Sequence, residues 1–206
     1  VTLLASVQSV LVVHPALPAK SVKELIGIAS KAPGKINYAS PGSGSSGHLV
    51  MELFRSMAGI ELTHIPYKTI GQAQSDLIAG QVSVAFFTIP GALPHIKAGR
   101  MSALAVSGVK RSSALPEVPT VAEAGVSGYE ATTWYPVLVP VGTPKAIIDK
   151  LNAQLVAIVK MPDVQERFSV LGVDPIGSTP AQLAAHIRSE LPKWAKVVQL
   201  SGARVD

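Results

Sequence analysis

The sequence predicts an α/β protein built on a largely parallel sheet, and three observations carry that reading. Apolar runs rich in β-branched residues alternate with helical patterns along almost the whole chain. Helix starts and stops fall between them, as at the capping-box spacing Ser21-Val22-Lys23-Glu24 and the terminating glycines Gly59, Gly80 and Gly99. Finally, 206 residues that are 48% hydrophobic and only 15% charged can bury a sizeable core, which excludes intrinsic disorder. Every apolar run is broken before it reaches the ~20 residues needed to span a bilayer.

The elements follow in order. Val7 to Val13 reads as a buried strand stopped by Pro15 and Pro18, and Ser21 opens a helix running to about Lys31. Pro33-Gly34 turns the chain into a short strand, Ile36 to Ala39, followed by a Gly/Ser loop from Ser40 to Gly47. A helix from Ser46 to Ala58 carries Leu49, Leu53 and Met57 at four-residue spacing. Strand Ile60 to Ile65, a helix from Gln72 to Ala79 and strand Val82 to Phe87 come next. Then follow a helix with Leu93 and Ile96, strand Ala103 to Ser107, and a loop to Gly128 with a short helix at Val121 to Ala124. Thr133 to Val139 is a strand, and the rest is mainly helical: Pro144 to Lys160, Pro162 to Leu171, a short strand at Val173 to Ile176, and Pro180 to Leu200. Strand density drops after Val139, which places a boundary near Thr132.

Eighteen Lys and Arg against thirteen Asp and Glu leave a net charge of +5, favouring an anionic partner. The cations are scattered and aromatics are only 5%, so nucleic acid is not the expected one. Cysteine is absent, which removes disulfides and thiolate metal sites. The five histidines never fall at metal-ligand i, i+4 spacing and read as solvated or capping, so no metal is expected. The chain opens directly on strand-like Val1-Thr2-Leu3-Leu4, and a preceding segment is expected to have been removed, with sheet neighbours among its losses.

The most informative stretch runs from Asn37 to Leu49 and reads NYASPGSGSSGHL. It lies between a strand and a helix, where free N–H groups and the helix dipole attract anions. Gly42, Gly44 and Gly47 allow close approach, and Ser40, Ser43, Ser45 and Ser46 add hydroxyl donors. The competing reading is a turn in which Ser46 merely caps the helix. Gly42, Gly44 and Gly47 match the dinucleotide spacing, but the following strand ends at His64-Ile65-Pro66 without the required acid. A P-loop fails because His48-Leu49 stands where Lys and Ser/Thr are needed. The hydrolase elbow Gly-x-Ser-x-Gly is missing as well.

At this loop the sequence resembles the substrate-binding proteins of tripartite tricarboxylate transporters, also called the Bug family. The resemblance continues through His64-Ile65-Pro66-Tyr67-Lys68, Asp76 to Val82, Leu93 to Gly99, Leu115 to Gly125, Gly142-Thr143-Pro144 and Lys193-Trp194. It implies a type II periplasmic-binding-protein-like fold. One lobe would be complete, and only the C-terminal part of the second would be present. Residues 1–131 would form the ligand-binding lobe with its first crossover strand, and 132–206 the second crossover strand and helical remainder. The resemblance also implies a periplasmic receptor without catalytic activity or cofactor, holding a small mono- or dicarboxylate and delivering it to membrane permease subunits.

In such a receptor the loop Ser40, Gly42, Ser43, Gly44, Ser45 and Ser46 would grip a carboxylate, with Tyr67, Lys68, Phe87 and Thr88 facing the same cleft. Three of these have a plainer reading: Tyr67 as loop packing, Lys68 as solvated, Phe87 as core. Thr69 departs from a usual Gly, which stiffens that loop, and Phe87 stands where many relatives place Asp. Glu52, Glu61 and Asp76 are expected to lie away from the loop ends. The alternatives are a hydrolase using the same anion-binding loop, and a non-binding fragment or interaction module. Self-association through an incomplete lobe is expected.

Overall fold

Twelve consecutive residues, TLLASVQSVLVV, form one long strand, β1 (Thr2–Val13), around which the rest is arranged. The computed structural model describes residues 1–203. The further strands are β2 (Asn37–Ser40), β3 (Thr63–Pro66), β4 (Val84–Thr88), β5 (Ser102–Val106), β6 (Thr132–Val137) and β7 (Val173–Pro175). The helices are α1 (Val22–Lys31), α2 (Ser46–Ala58), α3 (Ile70–Ile78), α4 (Ile89–Lys97), α5 (Lys145–Val159), α6 (Pro162–Leu171) and α7 (Pro180–Ser201).

The two halves of β1 have different neighbours. Ser9 to Val13 pair with β4 and β5, giving the order β3-β2-β4-β1-β5, while Thr2 to Gln8 pair with β6 and β7. Burial follows this division. Val10, Leu11, Val12 and Val13 are wholly buried on a strand covered on both faces, whereas Leu4 and Ser6 stay partly open between buried neighbours. The strand is therefore longer than the Val7 to Val13 expected from its apolar run. The sheet is also mixed rather than largely parallel. β2 runs parallel to β3 and β4, but β1 is antiparallel to all four of its partners. Strand direction depends on which distant segments pair, and an apolar run carries no sign of it.

Successive residues of the central strands face opposite sides. Leu11, Val13 and Phe86 join Tyr38, Phe54 and Tyr129 in one core cluster, under α1 and α2. Val10, Val12 and Phe87 join Ala39, Leu77 and Ile89 in the other, under α3 and α4. The expected helix at Val121 to Ala124 is a turn, organised by Glu123, whose carboxylate accepts from Thr120 N–H and Arg111. Beyond Thr132 the packing is thinner: β6 pairs with β1 alone, and Leu138, Val141 and Val170 are 64%, 107% and 69% exposed.

Candidate functional site

The parallel strands β2, β3 and β4 are each followed by a helix, so the N-termini of α2, α3 and α4 open at one edge of the sheet. The Gly/Ser loop is the link from β2 to α2. Its shape is fixed from within. Ser40, fully buried, has its hydroxyl 2.6 Å from His64 Nε2 and 3.0 Å from the Gly42 carbonyl, and it accepts the Gly42 N–H at 3.2 Å. Gly44 N–H donates to His48 Nδ1 at 3.1 Å. Ser45, not Ser46, caps α2: its hydroxyl donates to Gly42 O at 2.7 Å and accepts from His48 N–H.

The loop also needs its glycines. Gly42 and Gly44 adopt φ of +117° and +74°, which side-chain-bearing residues rarely do. A Cβ at Gly47 would lie 3.1 Å from the Phe86 carbonyl and 3.2 Å from Pro41 Cδ, so this glycine lets the first turn of α2 settle against the end of β4.

Ser43 and Ser46 are left over. Both are exposed, and among the described residues neither their backbone N–H groups nor their hydroxyls meet a hydrogen-bond partner. Ser46 stands at a recess of about 290 Å³ whose walls include Leu49, Val50, Trp134 and Trp194. Ser46 sets two free donors at a helix N-terminus beside an apolar wall, and Ser43 adds two more in the loop that enters the helix, a donor set of the kind that holds a carboxylate.

The other expected site residues are placed less uniformly. Tyr67 meets the loop through its backbone, N–H to Ser40 O at 2.9 Å, while its hydroxyl donates to Asp76 at 2.8 Å. Burial and that carboxylate push the Tyr67 phenol up to about 12. Asp76, expected to lie away from the loops, therefore sits with Tyr67, Lys68 and Gln72 along a separate groove. Lys68 is exposed there. Thr69 caps α3 by accepting from Gln72 N–H at a φ of −141°, so no glycine is required. Phe87, expected to face the cleft, is instead core: it is 1% exposed inside the second cluster, packed with Val10, Val12 and Ile89. Thr88 stands at the N-terminus of α4 without a side-chain cap bond.

A feature hidden from the sequence lies beneath the loop. His48 and His64 stack with ring centroids 4.0 Å apart, and Tyr38 stacks on His64 at 4.9 Å. Glu52 accepts from the Tyr38 hydroxyl and pairs with Arg55 at 2.5 Å, and His48 Nε2 lies 3.9 Å from the same oxygen. Burial lowers both histidines, His64 to about 4 with help from its neighbour's charge. The reading of these histidines as solvated or capping is thus corrected. The parallel register that sets Tyr38 beside His64 brings them together, and spacing along the chain does not disclose a register.

Comparison with known proteins agrees with this architecture. The model of the tripartite tricarboxylate transporter family receptor matches residues 1–203. The chain belongs to that family. BugT of Bordetella pertussis is 36% identical over 205 residues, covering 100% of this chain and 63% of BugT. The structure of Rpa4515 of R. palustris with adipate is 36% identical, with a TM-score of 0.89 over 98% of this chain and 68% of that one. MatC of Rhodopseudomonas palustris, with bound malate, is 28% identical with a TM-score of 0.81 over 96% and 68%. The likeness to these receptors confirms the type II binding-protein fold expected from the resemblance. The chain spans 59% and 63% of the length of two curated relatives it matches.

Proposed function

We propose that this family receptor captures a small mono- or dicarboxylate in the periplasm and passes it to the permease subunits of a tripartite transporter, by binding rather than chemistry. The observation that carries the reading is the pair Ser43 and Ser46, whose donors are free in the loop that enters α2. Relatives of the same fold hold adipate and malate. Residues 1–131 act as the lobe that carries this loop, and residues from 132 onward as part of the opposing lobe, with β1 and β6 as the strands between them. Among the described residues no helix is long and apolar enough to cross a membrane.

The ligand this cradle favours has no amino group. Ser43 and Ser46 offer donors, whereas Glu52 is held by Tyr38 and Arg55 and Asp76 by Tyr67. A buried ammonium would lack a carboxylate partner. Calorimetric titration with adipate and with 2-aminoadipate tests this, and the plain acid is expected to bind at least about tenfold tighter, the scale of a lost charge-assisted hydrogen bond. Tighter binding of the amino acid would refute it.

The hydrolase alternative has one observation in its favour, the Ser40–His64 contact at 2.6 Å. It is outweighed, since Ser40 is fully buried and its hydroxyl already serves Gly42, while a histidine held near 4 is a poor base at neutral pH. Ester hydrolysis that is lost in Ser40→Ala but not in His14→Ala would restore it.

A further inference from the structure

We propose that His48 and His64 are positioning residues for the anion-binding loop, a stacked pair that clamps the chain from Ser40 to Ser45 and leaves Ser43 and Ser46 to meet a ligand. The inference rests on the carboxylate reading of the loop and adds to it the groups that set the loop's shape.

The clamp has two jaws. His48, on the first turn of α2, accepts the Gly44 N–H on Nδ1, so that nitrogen carries no proton in this arrangement. His64, on β3, meets the Ser40 hydroxyl with Nε2, and Ser40 in turn holds both polar groups of Gly42. Stacking at 4.0 Å, with the ring planes 12° apart, joins the jaws. The groups facing the pair come from three elements: Tyr38 on β2, Glu52 and Arg55 on α2, and each histidine toward the other. Glu52 is shared with Tyr38 and Arg55, so it is not free to neutralise two imidazolium ions in contact. A proton on His48 Nδ1 would set an N–H against the Gly44 N–H and break that jaw. A structural histidine that merely filled space would not link the loop amide to its own proton state.

The test is nuclear magnetic resonance of the ligand-free protein from about pH 8 to about pH 4, following the Gly42 and Gly44 amides beside the imidazole resonances. The Gly44 amide is expected to move with the midpoint of the His48 ring. His48→Asn places an oxygen where Nδ1 stood, and it should retain the loop amide bond while removing this pH response. His48→Ala should speed Gly44 amide exchange by about fivefold or more, the scale of one lost hydrogen bond. With adipate as the probe near neutral pH, affinity should fall by a similar factor in His48→Ala and stay within about twofold in His48→Asn. A Gly44 amide that ignores His48 protonation, or that stays equally protected in His48→Ala, would overturn the proposal. Failure of the unaltered protein to bind adipate would count against the carboxylate reading, and the amide measurements would still decide the role of the histidines.

Discussion

The Ser45 hydroxyl donates to the Gly42 carbonyl oxygen at 2.7 Å while accepting the His48 N–H at 3.3 Å, which uses it for the loop and not for a ligand. The serines of this loop thus divide by task. Ser45→Ala removes a helix cap and should destabilise the protein by about 1 kcal/mol. Ser43→Ala and Ser46→Ala break no bond among the described residues and should leave stability within about 0.5 kcal/mol. Chemical denaturation of the three variants distinguishes the tasks; equal losses in all three would contradict the division.

Glycines on helices α1 and α2 should respond in opposite senses to alanine. At Gly47 the added Cβ meets backbone oxygen of Phe86 at 3.1 Å and Pro41 Cδ at 3.2 Å, so Gly47→Ala should cost about 1–3 kcal/mol. Gly27 is exposed within α1 with nothing inside 4 Å of an added Cβ. Gly27→Ala should stabilise by about 0.5–1 kcal/mol through helix propensity. Thermal unfolding of the two variants reads both signs.

Stability should fall with acid in a defined window. His64 is lowered from 6.5 to about 4 and His48 is lowered as well, each chiefly by burial. Between those pH values the unfolded chain binds more protons than the folded one, so stability present above about pH 6.5 drains away toward pH 4. His64→Gln, which cannot titrate, should flatten that part of the profile. An unchanged slope between the two proteins in denaturant titrations at stepped pH would contradict the assignment.

Exposed apolar side chains beyond Thr132, among them Tyr135, Leu138 and Val141, accompany a β6 edge that pairs with no second strand among the described residues. Such an edge and such a surface favour self-association. Light scattering at micromolar concentration should report a dimer or a larger species, and a compact monomer that binds no apolar dye would contradict this.

Much of this architecture was legible in the chain. The helix from Ser46 to Ala58 has the expected bounds, although it buries Val50, Met51 and Phe54 and leaves Met57, expected on its apolar face, exposed. Local signals suffice where neighbouring residues decide the outcome. They fail where distant segments meet. Strand direction at β1, the stacking of His48 on His64, and the capture of Tyr67 by Asp76 depend on register and on helix placement. The cap illustrates the limit at the finest scale. Adjacent serines are equivalent in sequence, and only the backbone at Ser45, φ −65° and ψ 160°, sets it rather than Ser46 at the capping position.

On the proposed function, Ser43 and Ser46 together hold a ligand carboxylate. Charge-assisted hydrogen bonds of this kind contribute about 1.5–3 kcal/mol each, so losing two hydroxyl donors should be plainly measurable. Isothermal titration of adipate into the unaltered protein and into Ser43→Ala/Ser46→Ala is the most direct measurement. Binding at least about tenfold weaker in the double variant, with its unfolding midpoint preserved, is expected; equal affinity in the two proteins would overturn the assignment of these serines.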